Sequence, residues 1–169
     1  VQIVDDNTLA FTATAGTNNG GATVSEFKVR EGGTSSEVDI TGCEQSSTHN
    51  YGCNYAYWAS KAGGESITNY GSNWLRFDFA PTLLHSVSID VYHGMNGYLE
   101  HFDLTWQDAS DDTWHTCPGS PYNLLSYEPT IFACPTELKG RARAIKISPT
   151  TTTQQIQITQ VRVYAHELS

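Results

Sequence analysis

The chain has 169 residues, of which 38% are hydrophobic and 16% are charged, and its net charge is -9 at pH 7. This composition is typical of a globular domain rather than a disordered chain. The negative charge argues against nucleic-acid binding, because a phosphate backbone needs a basic surface. No long apolar run occurs, so we expect no membrane insertion. We expect residues 1–169 to form one domain.

The first third of the chain gives a weak strand signal. Leu9 and Phe11 alternate with threonines, a turn signal follows at 18–21, and a second alternating run covers 22–31. Residues 37–71 contain few periodic apolar positions and many Gly, Ser, Asn and Tyr residues, so we predict an irregular segment there.

Three alternating runs between residues 72 and 106 give the clearest strand signal. Their apolar residues recur at a period of two, which is typical of strands with one buried face: Leu75, Phe77 and Phe79; Val87, Ile89 and Val91; Phe102, Leu104 and Trp106. Pro81 predicts a turn between the first two runs, because proline lacks a backbone donor. The segment 93–98 predicts a glycine-punctuated loop before the third run, and this loop is the leading candidate for the functional surface.

The C-terminal part predicts two further strands, at 141–147 and 155–164. In the second of these, the apolar positions shift from even to odd numbers near Thr159, which predicts a β-bulge. About eight to ten short strands separated by turn signals predict an all-β fold, an antiparallel β-sandwich of the jelly-roll type.

The four cysteines allow three disulfide pairings, and sequence alone does not choose among them. Proximity favours Cys43 with Cys53 and Cys117 with Cys134, since each bridge would close a loop between strands. Neither pair has the short spacing of a zinc knuckle. Because disulfides persist in oxidising compartments, we predict a protein that is secreted or on a cell surface.

Three segments resemble, in order and spacing, the galactose-binding-domain-like jelly-roll superfamily, which includes discoidin domains, F-type lectins and many carbohydrate-binding modules. They read LRFDFAPTLLHSVSIDVY, GYLEHFDLTWQDASDDTW and RARAIKISPTTTTQQIQITQVRVYA, and together cover roughly residues 72–165. The resemblance implies a jelly-roll fold that recognises glycans through loops at one end. The matching motifs are strand patterns, so they specify the fold better than the ligand.

Two details of the family pattern concern ligands. F-type lectins bind fucose with a histidine and arginines in the loop after the second strand; here that loop reads HGMNGY, so we do not expect fucose recognition by that chemistry. Many members hold a structural calcium, and the resemblance implies Asp39, Thr41 and Gln160 as its candidate ligands, since calcium prefers oxygen atoms.

A sugar site needs an aromatic face for the ring and planar polar groups for the hydroxyls. His93, Asn96 and Tyr98 offer both within one loop, although an Asn-Gly pair also closes an ordinary hairpin. Further candidates lie in or beside the two cysteine loops, where packing is the competing explanation: Tyr55, Tyr57, His115, Tyr122 and Asn123.

Catalysis is not expected, because the sequence has no nucleophile elbow, HExxH, P-loop or dinucleotide-binding glycine motif. The outward acidic residues of the strands predict surface ion pairs with Arg76 and Lys146 instead. The leading prediction is a secreted lectin or carbohydrate-binding module for glycans or glycoproteins, with avidity from a homo-oligomer or tandem copies. The alternative is a protein-binding adhesion or ligand domain on the same fold. A lyase or hydrolase of acidic polysaccharides fits poorly with the negative charge.

Overall fold

The structure is a computed structural model. It describes residues 2–5, 8–10, 35–48, 52–54, 66–67, 73–91, 99–124, 129–136, 140–151 and 156–166. The chain divides into two compact units, residues 1–34 with 168–169 and residues 35–167. In the first unit, β1 (Gln2–Asp5) and β2 (Thr8–Ala10) form an antiparallel pair. The single-domain expectation stays a prediction.

The second unit contains two antiparallel sheets, as the alternating pattern predicts. The six-stranded sheet has the order β10-β8-β12-β6-β4, with β9 also paired to β8. Its strands are β4 (Ile40–Gln45), β6 (Leu75–Thr82), β8 (His101–Asp108), β9 (Trp114–Thr116), β10 (Tyr122–Asn123) and β12 (Ala142–Pro149). The five-stranded sheet has the order β11-β7-β13-β3, with β5 also paired to β13. Its strands are β3 (Ser35–Val38), β5 (Ser66–Ile67), β7 (Leu84–Val91), β11 (Thr130–Ala133) and β13 (Gln157–His166).

The inner faces of both sheets supply one hydrophobic core. Each of the three runs between residues 72 and 106 buries its apolar residues there, and β12 and β13 add to them Ile145, Ile147, Ile158, Val161 and Val163. Phe102 of one sheet meets Phe132 of the other edge to face, with ring centroids 5.1 Å apart. Full burial of a side chain of this size contributes about 1.5–3 kcal/mol to stability.

Among the described residues, no helix is both long and apolar enough to span a membrane.

The prediction of an irregular segment at 37–71 is wrong in part, because β4, β5 and half of β3 lie within it. The reason is visible in β4, an edge strand that pairs with β6 alone in the described sheet. Its residues are half-buried or exposed rather than alternately buried. Polar residues therefore suffice at this edge, and the apolar period that marks a half-buried strand is missing.

The predicted turn at Pro81 is also wrong, since β6 continues to Thr82 and β7 begins at Leu84. The ladder between β6 and β12 is irregular here, because Thr82 faces Ala142 while Asp78 faces Ala144. Such an irregularity leaves a backbone group unpaired, so a proline without a donor is tolerated. The bulge near Thr159 is confirmed by the register shift between Ile158 and Gln160 opposite β7.

Both favoured disulfides are confirmed. Cys43 bonds to Cys53, with Cα atoms 6.0 Å apart, and Cys117 bonds to Cys134, with Cα atoms 4.9 Å apart. The first bridge ties edge strand β4 to the chain that follows it. The second joins the segment after β9 to the segment after β11, and so links the six-stranded sheet to the five-stranded one.

Candidate functional site

The two strand ends that flank the predicted functional loop lie at one end of the sandwich. Strand β7 ends there at Val91, opposite Ile158 at the start of β13, and β8 begins there at His101, opposite Asn123 of β10. We call this end the rim. His93, Asn96 and Tyr98 fall between Val91 and Leu99 and lie outside the described residues, so their ligand role stays a prediction.

The described part of the rim presents polar side chains on a fixed backbone. The Nδ1 atom of His101 is within hydrogen-bond distance of the Asn123 Oδ1 atom, and both residues are exposed. The Thr150 amide donates to the His101 carbonyl at 3.1 Å, and the Leu124 amide donates to the Glu100 carbonyl at 2.8 Å. An imidazole, an amide and a hydroxyl thus stand together in solvent, where they can donate to and accept from sugar hydroxyls.

A second polar cluster lies at the same end, between β4 and β6. The Asn73 Oδ1 atom accepts hydrogen bonds from the hydroxyls of Ser46 at 3.1 Å and Ser47 at 2.9 Å. The Ser46 hydroxyl also accepts a bond from the Trp74 amide at 2.9 Å. These bonds hold the segment that follows β4 against the start of β6. The polar groups of this cluster bond mainly to one another and to the local backbone, so we assign the cluster a supporting role at the rim.

The two tyrosines predicted near the first disulfide, Tyr55 and Tyr57, follow Cys53 by two and four positions and lie outside the described residues. Their role therefore stays a prediction. The Cys43–Cys53 disulfide holds the residue just before these tyrosines against β4. The Ser46–Asn73 contact lies at the end of that same strand.

His115, the remaining predicted ligand, lies elsewhere. It faces Trp106 across β8 and β9, and the two rings stack with centroids 4.5 Å apart. Trp106 is five residues along β8 from His101, a distance of about 17 Å at the rise of an antiparallel strand. Of the predicted residues beside the second cysteine pair, the structure brings Tyr122 and Asn123 to the rim and leaves His115 away from it.

His115 belongs instead to an acidic turn between β8 and β9. Ligand atoms of Asp108, Asp111 and His115 all lie within 4.8 Å of one another. Both carboxylates already accept bonds from the turn itself, Asp108 from the Ser110 amide at 2.7 Å and Asp111 from the Thr113 amide at 3.0 Å. The amide and hydroxyl of Thr113 lower the pKa of the Asp111 carboxyl. These carboxylates close the hairpin.

Two of the predicted calcium ligands, Asp39 and Thr41, lie at the start of β4 in or beside the six-stranded sheet, and the third, Gln160, lies on the five-stranded sheet. Asp39 is an exposed residue between β3 and β4, and the hydroxyl of Thr41 in β4 donates to the Asp78 carbonyl at 3.2 Å. Gln160 lies in β13, and its amide oxygen accepts from the Arg162 guanidinium at 3.2–3.3 Å once the amide is oriented to suit its neighbours. Gln160 would have to leave this cation before it could ligate another. A calcium ion at these residues stays a prediction.

Sequence reasoning missed two rim residues, Thr150 and, at the flank of the predicted functional loop, His101. His101 stands eight positions after His93, at the far end of the same loop. The alternating pattern assigns it to the polar face of β8 and gives no sign that it borders the rim. A signal was available in the loop length, because a loop that joins two sheets has both of its flanks at one end of the sandwich.

Comparison with known proteins identifies the fold. No protein-family model matches the sequence, and no curated protein matches it either. Among solved structures, the F5/8 type C domain of a Bacteroides fragilis protein is similar, with a TM-score of 0.62 and 18% identity over 79% of this chain and 98% of that one. A fucose-binding module from Streptococcus pneumoniae has a TM-score of 0.56 and 19% identity over 78% of this chain and 99% of that one.

A family 32 carbohydrate-binding module from C. perfringens NanJ, solved with galactose, has a TM-score of 0.54 and 12% identity over 78% of this chain and 99% of that one. All three likenesses extend over nearly the whole of the compared domain, and all are below 20% identity. Together with the two antiparallel sheets and their shared core, they show that this chain has the galactose-binding-domain-like jelly-roll fold.

Proposed function

We propose that this chain is an extracellular carbohydrate-binding domain, a lectin or carbohydrate-binding module, that recognises glycans through its rim. The observation that carries the proposal is the polar group at the rim, where His101, Asn123 and Thr150 face solvent beside the flanks of the 92–98 loop. Two of the three similar structures are sugar-binding modules, one named a fucose binding module and the other solved in complex with galactose. This is supporting evidence from the shared fold.

The chemistry of the proposed site is reversible binding. The imidazole of His101 and the amide of Asn123 supply directional hydrogen bonds to sugar hydroxyls, and Tyr98, Tyr55 or Tyr57 supplies an aromatic face for the apolar side of the ring. No covalent step is part of the proposal. Such a shallow site binds a single sugar weakly, so tandem copies or an oligomer raise the affinity through avidity.

The extracellular setting rests on the two disulfides. One ties edge strand β4 to the chain that follows it and the other links the two sheets, and such bonds persist where the surroundings are oxidising. A structural calcium held by Asp39, Thr41 and Gln160 is a separate part of the proposal. Thermal unfolding with added calcium and with a chelator tests it: a higher Tm with calcium, lost in Asp39→Asn, supports the site, and an unchanged Tm refutes it.

A glycan array probed with the purified chain tests the main proposal. We expect specific binding that falls at least roughly tenfold in His101→Ala and Asn123→Ala, and in His93→Ala and Tyr98→Ala, since each removes a polar or aromatic contact. The matched control is Glu37→Gln, an exposed position on β3 of the five-stranded sheet. Its binding should equal that of the unmodified chain.

A blank array would overturn the proposal, as would equal binding by Glu37→Gln and the rim variants. If the array is blank and the chain captures an extracellular protein through the rim, the protein-binding adhesion domain is the correct alternative. Release of reducing ends from a bound glycan would also contradict the proposal, because a binding domain leaves its ligand intact.

A further inference from the structure

The outer face of the six-stranded sheet carries a row of polar residues in register across five strands. Glu44 of β4 faces Arg76 of β6, Arg76 faces Lys146 of β12, Lys146 faces Thr105 of β8, and Thr105 faces Thr116 of β9. The residues next to them along the strands, among them Phe77, Ile145 and Trp106, are buried. Because side chains alternate along a strand, the row faces away from the core.

An indole ring lies over this row. Trp114 stands on β9, opposite Gln107, and its ring centroid is 4.3 Å from the Lys146 Nζ atom and 5.6 Å from the central guanidinium carbon of Arg76. Lys146 is two strands away from β9 and Arg76 is three, so the ring must lie along the sheet rather than stand up from it. The outward residue at this level of β12 is Ala144, which is small and fully buried.

The cationic side chains of this face differ in whether a carboxylate pairs with them. Arg76 pairs with Asp78 at 2.7 Å, and Arg143 pairs with Asp112 at 2.8 Å. Lys146 pairs with no carboxylate in the part of the chain that the structure describes, and its ammonium rests on the Trp114 ring. Within the described ranges, the ion pair expected from the sequence is therefore present at Arg76 and not seen at Lys146.

The neighbour of Lys146 in the row is also unsatisfied. The Thr105 hydroxyl is buried and has no hydrogen-bond partner among the residues that the structure describes. A buried polar atom without a partner is uncommon and calls for an explanation such as an absent ligand or water. An ammonium without a counterion and a hydroxyl without a partner thus stand side by side, with the exposed Thr116 next to them.

We infer that this face is a second binding site, for a sugar that carries a carboxylate or a sulfate. The anionic group pairs with the Lys146 ammonium and takes a hydrogen bond from the exposed Thr116 hydroxyl, and the accessible part of the Trp114 indole contacts the apolar side of the sugar ring. The net charge of -9 does not forbid this, because distant carboxylates are screened beyond about 8 Å at physiological ionic strength.

The site is separate from the rim and does not depend on the proposed function. Thr105 is four residues along β8 from His101, about 14 Å at the rise of an antiparallel strand. The two sites also differ in chemistry, since the described rim offers an imidazole and an amide beside the exposed Glu100, while the sheet face offers the Lys146 ammonium. Loss of binding at one site should leave the other intact.

An NMR titration of the indole N–H signal of Trp114 tests the inference, with the signal assigned from the Trp114→Phe variant. The probes are the methyl glycosides of glucuronate, glucose 6-sulfate and glucose. We expect a saturable shift with one or both anionic sugars and none with the neutral one. A preference for glucuronate identifies a carboxylate site, and a preference for the other anionic probe identifies a sulfate site.

Lys146→Gln should weaken the anionic sugar at least roughly fivefold, because it removes the charge and keeps most of the side chain. The matched control is Arg162→Gln on β13, which changes the net charge equally on the other sheet. The rim variants His101→Ala and Asn123→Ala should leave this titration unchanged. Equal weakening by Lys146→Gln and Arg162→Gln, equal binding of the neutral glycoside, or loss of binding in the rim variants would overturn the inference.

Discussion

Trp106 and His115 stack across β8 and β9, with ring centroids 4.5 Å apart and ring planes inclined by 25°. Trp106 is 8% exposed, and the exposed His115 ring covers it at the margin of the core. We therefore predict that His115→Ala lowers the free energy of unfolding by about 0.5–1.5 kcal/mol, the usual worth of such a ring pair. Urea unfolding followed by tryptophan fluorescence measures the change.

The same variant separates a packing role from the ligand role predicted from the sequence. His115→Ala should bind glycans as well as the unmodified chain does, whereas His101→Ala should lose binding and keep its stability. The reverse pattern would show that the functional surface lies at the acidic turn and not at the rim.

Gly140 lies against the same tryptophan, and its replacement is predicted to be destabilising. A Cβ atom at Gly140 would come within 3.1 Å of the Trp106 Cη2 atom, closer than ordinary contact. Because the ring is held by the core, Gly140→Ala should lower the free energy of unfolding by about 1–3 kcal/mol, as overpacked core sites do. Denaturant unfolding provides the measurement.

Gly42→Ala is the matched control for this prediction. A Cβ atom there would meet only the Asp78 Oδ2 atom, at 3.9 Å, which is ordinary contact. Alanine also loses less backbone entropy on folding than glycine does, so the variant should be neutral or more stable by a few tenths of a kcal/mol. Equal destabilisation by both variants would mean that crowding against Trp106 is not the cause.

The sequence predicts the middle of each sheet better than its edges. Phe77, Ile89 and Leu104 lie on central strands whose two faces have opposite polarity, so period two identifies the strands and the buried face together. The two faces of edge strand β4 do not differ in polarity in this way, so its polar sequence predicts a loop. The bulge at Thr159 was predictable, because a bulge shifts the apolar residues from one face to the other in the sequence itself.

Surface chemistry is predicted less well, because it depends on which strands become neighbours. The stacking of Lys146 on Trp114 joins residues 32 positions apart on strands that do not pair with each other. Nothing local to either residue indicates the contact. In the same way His101 and Asn123 meet because β10 pairs with the start of β8, a pairing of two residues that carries no periodic signal.

Tyr122 connects the two ends of the loop that the Cys117–Cys134 disulfide closes. Its hydroxyl lies between the carbonyl oxygens of Pro118 and Ala133, the second at 2.7 Å, and its ring packs on Phe102 and Phe132. Tyr122→Phe keeps the ring and removes the donor. We predict that the free energy of unfolding falls by about 1 kcal/mol, the net worth of a typical hydrogen bond. Urea unfolding at pH 7 measures the loss.

The same tyrosine predicts a stability change at alkaline pH. Burial raises the pKa of Tyr122 above its usual 10.0, because the phenolate is the form that burial disfavours. The folded state therefore holds this proton more tightly than the unfolded state does. The resulting stability is complete below pH 10 and is lost as the pH rises through the raised value. An absorbance titration of tyrosinate should show a late step that Tyr122→Phe removes; an unchanged curve would contradict the assignment.

We also predict a change in stability at acidic pH, which depends on Asp111 in the acidic turn. The Asp111 carboxylate accepts bonds from the Thr113 amide at 3.0 Å and the Thr113 hydroxyl at 2.7 Å, and these two donors lower its pKa below the usual 3.8. A depressed pKa in the folded state contributes stability that is present above pH 3.8. This contribution is lost as the pH falls through the lower folded value.

Thr113→Val tests this cause, because it removes the hydroxyl and keeps the backbone amide. The pKa of Asp111 should rise toward its usual value without reaching it, since the amide, which lowers it most, remains in place. An NMR titration of the side-chain carboxyl carbon measures the midpoint. Thr116→Val on β9, the strand that follows Thr113, is the control, because Thr116 faces Thr105 rather than the turn. If both variants leave the midpoint where it was, the hydroxyl is not what holds the pKa down.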